Sequence, residues 1–143
     1  MTLSLSILEV HDIGGFEPAF HLEHAQALLV LSSPLFGPSQ RVAGGLTASQ
    51  RIGELAIRHR LPSVAFFTTF AEAGGLLAYG PNIPELYRQE ARVVAKILDS
   101  AAAAELPIER PIKFELVVNL KAASALRLSV PPSVLGRADH VIE

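Results

Sequence analysis

Residues Ala25-Gln26-Ala27-Leu28-Leu29-Val30-Leu31, closed by Ser32-Ser33-Pro34, form a continuous apolar run of strand length ended by turn residues. A strand wetted on one side alternates apolar with polar side chains. One that is apolar throughout fits a strand covered on both faces, as in a parallel sheet. Working outward, the flanking segments alternate between strand and helix patterns. Upstream, Leu3 to Val10 sets Leu3, Leu5 and Ile7 between Ser4 and Ser6, a period of two that predicts a strand. His11 to Gly15 breaks it, and Phe16 to His24 reads as a short, poorly formed helix.

Downstream, Gly37 to Leu46 is loop. Thr47-x-x-Gln50 is a capping box that opens a helix with Ile52, Leu55, Ala56 and His59 on one face. Leu61-Pro62 ends it. Ser63 to Phe67 is a second short apolar run, Thr68 to Ala73 one or two helical turns, and Leu76 to Tyr79 a short strand. Asn82-x-x-Glu85 caps the clearest helix, Asn82 to Ser100, with Tyr87, Ala91, Val94 and Leu98 in one row widened by Leu86, Val93 and Ile97. Phe114 to Val118 is a strand, Asn119 caps a short helix to Leu126, and Pro131-Pro132 open a last turn. The alternation predicts one α/β domain over residues 1–143, a flavodoxin-like, open, mostly parallel sheet of about five strands flanked by helices.

Composition narrows the chemistry. The chain has 143 residues, a net charge of −2, no Cys and no Trp. Thiolate catalysis, disulfides and Cys-ligated metal sites are excluded. The 12 basic residues are not clustered against the 14 acidic ones, which argues against a nucleic acid partner. No apolar run reaches the roughly 20 residues that span a bilayer, so no membrane span is expected. Charged residues make up 18% of the chain, below the usual share of about 25%, which leaves apolar surface for a partner.

In an open α/β sheet, ligands sit beyond the carboxyl ends of the strands. Three such ends offer hydroxyls, an amide and aromatic rings: Ser32 and Ser33; Phe66, Phe67, Thr68 and Thr69; Tyr79 and Asn82. The plainer reading is that the Ser and Asn residues cap turns and helices and that the Phe pair is core. His21-Leu22-Glu23-His24 matches neither zinc-protease order, has no third ligand nearby and predicts no metal site. There is no nucleophile elbow, dinucleotide fingerprint or phosphate loop, and Glu109 and Glu115 lack a second feature for acid–base work. Neither enzyme activity nor a cofactor is expected.

Several stretches taken together are more specific. They are Ala25–Phe36, Ile52–Pro62, Phe70–Asn82, and the closing Leu106-Pro107-Ile108-Glu109-Arg110-Pro111, Lys113–Lys121 and Val130–Asp139. Over Ala25–Phe36 and Ile52–Glu143 the chain resembles the substrate-binding proteins of ABC transporters, of the tryptophan- and tyrosine-type group. The resemblance implies the second lobe and C-terminal return of a two-lobed periplasmic binding protein, with the first lobe absent. It implies a small-molecule solute such as an amino acid and ABC permease subunits as partners, with ligand contacts from Ser32, Ser33, Phe66, Phe67, Thr68, Tyr79 and Asn82. It also implies a periplasmic location, although Met1-Thr2-Leu3-Ser4-Leu5-Ser6 carries no export signal, so the chain as written would stay cytoplasmic. The family often has Gly where Arg127 stands. A helix 82–100 built to meet another lobe would leave its apolar row uncovered, so that surface is expected to drive a homodimer through that helix, to pack differently, or to leave the fold marginal. The second functional reading is therefore a free-standing dimeric interaction or regulatory module without transport function. A small enzyme on the same sheet ranks below both.

Overall fold

The computed structural model describes residues 4–12, 15–20, 24–36 and 44–143. The loop expected over 37–46 falls mostly outside them, as do Leu3 and His21. Five strands form one sheet in the spatial order β1 (Leu28–Val30), β2 (Ser63–Ala65), β3 (Leu77–Pro81), β4 (Phe114–Asn119) and β5 (His140–Ile142). All neighbours are parallel except β3 and β4, which run antiparallel because α4 (Ile83–Leu98) and a long return bring the chain back alongside. The expected open, mostly parallel α/β sheet is present.

Two strands differ from expectation. Ser4 to Val10 is not a strand. Leu5 is 78% exposed, and among the described residues no ladder partner lies beside the segment and only Val10 of it packs partly on the core. Alternation supplies a face, but a strand also needs a neighbour to take its backbone hydrogen bonds. At the other end, His140–Ile142 pairs with Val117–Asn119, a strand too short to show a pattern. The opening run is corrected as well. Its pairing is parallel, but β1 is an edge strand of three residues with Leu29 exposed, not one covered on both faces.

The helices follow their caps. In α2 (Ala48–Arg58) the Thr47 hydroxyl accepts the Gln50 N–H at 3.2 Å, and the Gln50 side-chain oxygen accepts the Thr47 N–H at 2.8 Å. Ile52, Leu55 and Ala56 then bury against Phe16 and Phe20, around α1 (Phe16–Ala19), and Phe70 of α3 (Thr69–Glu72). Outside this core, Glu17 pairs with Arg51 at 2.6 Å and Arg58 at 2.9 Å, tying α1 to α2. Asn119 joins the second half. Its amide N–H donates to the Ala71 carbonyl at 2.9 Å, and its oxygen accepts the Ala122 N–H that starts α5 (Leu120–Ala125). A short α6 (Pro132–Leu135) leads into β5.

After α5 the chain turns through Arg127, at φ +57°. The Leu128 N–H reaches back to the Ala123 carbonyl at 2.9 Å and the Arg127 N–H to Ser124 at 3.0 Å, a closure that wants a left-handed residue. A side chain there costs about 1–2 kcal/mol that glycine avoids. Arg127→Gly is expected to stabilise the fold by about 1 kcal/mol in urea denaturation, whereas Arg127→Ala, which keeps the Cβ, should not.

Candidate functional site

The carboxyl ends of β1 and β2 meet the starts of α2 and α3 in a hollow lined by Val30, Leu31, Ser32, Ser49, Ala65, Phe66, Phe67, Thr69 and Phe70. Its floor is core: Ala65 and Phe70 are buried. Its rim is open. Ser32 and Phe66 are exposed, and the Phe66 ring meets Phe67 edge-on at 5.3 Å. The enclosed space is about 20 Å³, room for a single water, where a small-molecule pocket occupies about 300–1,000 Å³. Deep crevices in such sheets form where strand order reverses, and the order of these five strands never reverses. What the described residues present is therefore a wall and not an enclosure.

Of the seven residues chosen from the sequence, Ser32, Phe66 and Phe67 come together at this hollow. Ser33 lies beside it but uses its hydroxyl to accept the Leu35 N–H at 3.2 Å, closing the turn at Pro34–Phe36. Thr68 precedes α3 without a side-chain cap bond, and Thr69 lines the hollow in its stead. Tyr79 sits on a face of the sheet, stacked on Phe114 at 5.8 Å. Sequence reasoning passed over Ser49. The signal was the capping box, which puts the first turn of α2 directly after Thr47.

Asn82 is a structural junction. Its side-chain oxygen accepts the Glu85 N–H at 2.8 Å, capping α4. Its amide N–H donates to Glu115 at 2.6 Å, and its backbone N–H to the Lys113 carbonyl at 2.9 Å. Glu115 is buried on β4 opposite Gly80 and also meets the Lys113 ammonium at 3.2 Å. The Asn82 hydrogen bond, helped by Lys113 and opposed by burial, holds the Glu115 carboxyl below its ordinary value of 4.5. Glu109 acts similarly further along α4, accepting from Gln89 at 2.8 Å and facing Lys96 at 3.8 Å. The two acids thus position a helix. Among the described residues no group of three His, Asp or Glu could hold a metal ion, and no helix is long and apolar enough to cross a membrane.

The sequence profile described as ABC transporter substrate binding protein matches residues 41–142. The chain belongs to the ABC transporter substrate-binding protein family. Its fold recurs in solved structures at low identity. A conserved domain protein from Vibrio cholerae aligns with a TM-score of 0.79 and 21% identity, covering 92% of this chain and 42% of that one. An ABC domain from Streptococcus pneumoniae, solved in complex with L-Trp, aligns at 0.72 and 19%, covering 93% and 44%. A substrate-binding protein with adhesive properties from Clostridium difficile aligns at 0.62 and 17%, covering 93% and 42%. This family member thus spans less than half the length of these chains. No curated protein sequence matches it significantly.

Two outcomes follow from the geometry. A Cβ added at Gly80 would stand 1.7 Å from the Phe66 carbonyl oxygen, a backbone atom that cannot swing aside. Gly80→Ala is therefore expected to push the end of β2 off β3 and destabilise by about 3 kcal/mol, read by urea denaturation. Because the Glu115 carboxyl is more acidic folded than unfolded, its contribution is present above 4.5 and lost as pH falls through the lowered value. Glu115→Gln keeps an acceptor for Asn82 but loses the charge. The stability gap between wild type and this variant should be widest at neutral pH and close below 4.5.

Proposed function

We propose that the chain is a solute-binding component of an ABC-type importer, of the tryptophan- and tyrosine-type group, supplying one wall of the site for a small solute such as an amino acid. It corresponds in this reading to the second lobe and C-terminal return of a two-lobed binder, working with permease subunits outside the inner membrane. The observation that carries the proposal is the hollow at the ends of β1 and β2, the position where an open α/β sheet presents groups to a ligand, in a chain of this family. The L-Trp complex of the Streptococcus pneumoniae domain supports the solute class.

The wall has parts suited to an amino acid. The first turn of α2, through Ser49, borders the hollow, and the positive end of a helix favours a carboxylate. Ser32 and Thr69 offer hydroxyls, and Phe66 and Phe67 an apolar rim for a side chain. Ser33, Thr68 and Asn82 then serve by shaping the turn and the starts of α3 and α4 rather than by touching solute.

A thermal-shift panel of amino acids tests this. Aromatic amino acids at millimolar concentration should raise the melting temperature, since a ligand at 100 times its Kd adds about 2.7 kcal/mol. Phe66→Ala should remove the shift while leaving the unliganded melting temperature nearly unchanged, because the ring is exposed. Absence of any shift across the panel would refute solute binding by this chain.

A further inference from the structure

The hollow at the ends of β1 and β2 owes much of its floor to one side chain. Phe70 is 3% exposed and packs in the core cluster with Ile52, Leu55 and Ala65, and it also lines the hollow. Its ring is seated against a residue with no side chain. The Gly75 N–H donates to the Phe70 carbonyl at 2.9 Å, which closes the turn after α3 and brings residue 75 back to residue 70. A Cβ added at Gly75 would overlap the ring carbons Cε1 and Cδ1 and stand 2.6 Å from Cζ. A ring displaced from that seat has few directions to take, because its neighbours in the cluster are close-packed and yield little. Among the described residues the open space that it borders is the hollow itself, with room for about one water. A side chain at position 75 therefore drives Phe70 into the site.

A second glycine positions α2 over the same turn. Gly53 is buried, and a Cβ there would stand 3.1 Å from the Gly74 carbonyl carbon and from the Gly75 nitrogen, backbone atoms that cannot swing aside. The helix thus lies directly on the segment that seats Phe70. Ser49 is one turn before Gly53 on the same side of α2, and it lines the hollow. Thr69 and Phe70 line it from α3. The close approach of Gly53 to Gly74 and Gly75 accordingly sets how far Ser49 stands from Thr69 and Phe70.

We infer that Gly53 and Gly75 are positioning residues of the solute wall and that Phe70 is its specificity-determining residue. With the ring seated on Gly75 the floor is shallow, and a solute side chain lies across the exposed Phe66 ring instead of sinking past it. A flat aromatic ring gains from stacking on such a rim, whereas a branched aliphatic chain needs a hole to fill. The inference rests on the reading that solute meets this chain at the hollow.

Titration calorimetry well below the melting temperature tests it, since a Kd measured on folded protein does not register a loss of stability alone. Wild type should bind phenylalanine more tightly than leucine. Gly75→Ala should weaken phenylalanine binding by about tenfold, the order that follows from misplacing a contact by part of an ångström. Adding Phe70→Leu to that variant takes away Cε1 and Cζ and should restore the affinity. Gly53→Ala should weaken binding in the same direction, and Phe70→Leu alone should deepen the floor and narrow the preference for phenylalanine over leucine. The last two variants decide the matter if Gly75→Ala does not fold. A folded Gly75→Ala with wild-type affinity would overturn the inference while leaving the reading of the hollow intact. So would a wild type without preference between the two solutes, or a Phe70→Leu variant that keeps the wild-type preference. A wild type that binds no amino acid overturns that reading, and this inference with it.

Discussion

The hydrogen bond from the Asn82 amide to the buried Glu115 carboxylate, 2.6 Å long, is the joint on which the second half of the fold turns. One side chain caps α4, the other sits on β4, and the two strands they flank form the antiparallel pair at the centre of the sheet. A buried carboxylate is tolerated only when its charge is answered by donors, and Asn82 and Lys113 answer it. With α4 leaving at that fixed point and held again at Gln89, its apolar row has one direction to face. The bare surface of this chain is thus a consequence of how two acids on β4 and its approach hold one helix.

That arrangement bears on binding. The strand ends carry hydroxyls and aromatic rings over a buried floor, and the space they enclose admits about one water. The limit is geometric, because a sheet whose strands follow chain order has no reversal at which a crevice can open. Among the described residues the strand ends form one wall, in a family member that spans 42–44% of the solved chains it resembles.

The reading from sequence succeeded wherever the cause was local. Thr47 with Gln50, Asn82 with Glu85, and Asn119 each cap the helix their spacing announced. It failed wherever the outcome depended on a neighbour. Ser4 to Val10 has the alternation of a strand and, among the described residues, no strand beside it, whereas His140–Ile142 has no pattern and pairs because β4 offers an edge. Glu115 was dismissed for want of a partner, since Asn82 lies 33 positions away in the chain and touches it only after β3 and β4 align. Ser32, Phe66 and Phe67 come together at the hollow because strand ends converge, whereas the pleat turned the Tyr79 ring onto the sheet face with Phe114.

The sequence by itself therefore determined the helix starts, the mostly parallel α/β class and the family, all of which rest on contacts within a few positions or on motifs read in order. Only the tertiary structure decided which strand lies at the edge, which acids orient α4, and which apolar surfaces remain open. Those depend on which distant segments come to lie side by side, and no spacing along the chain encodes that directly.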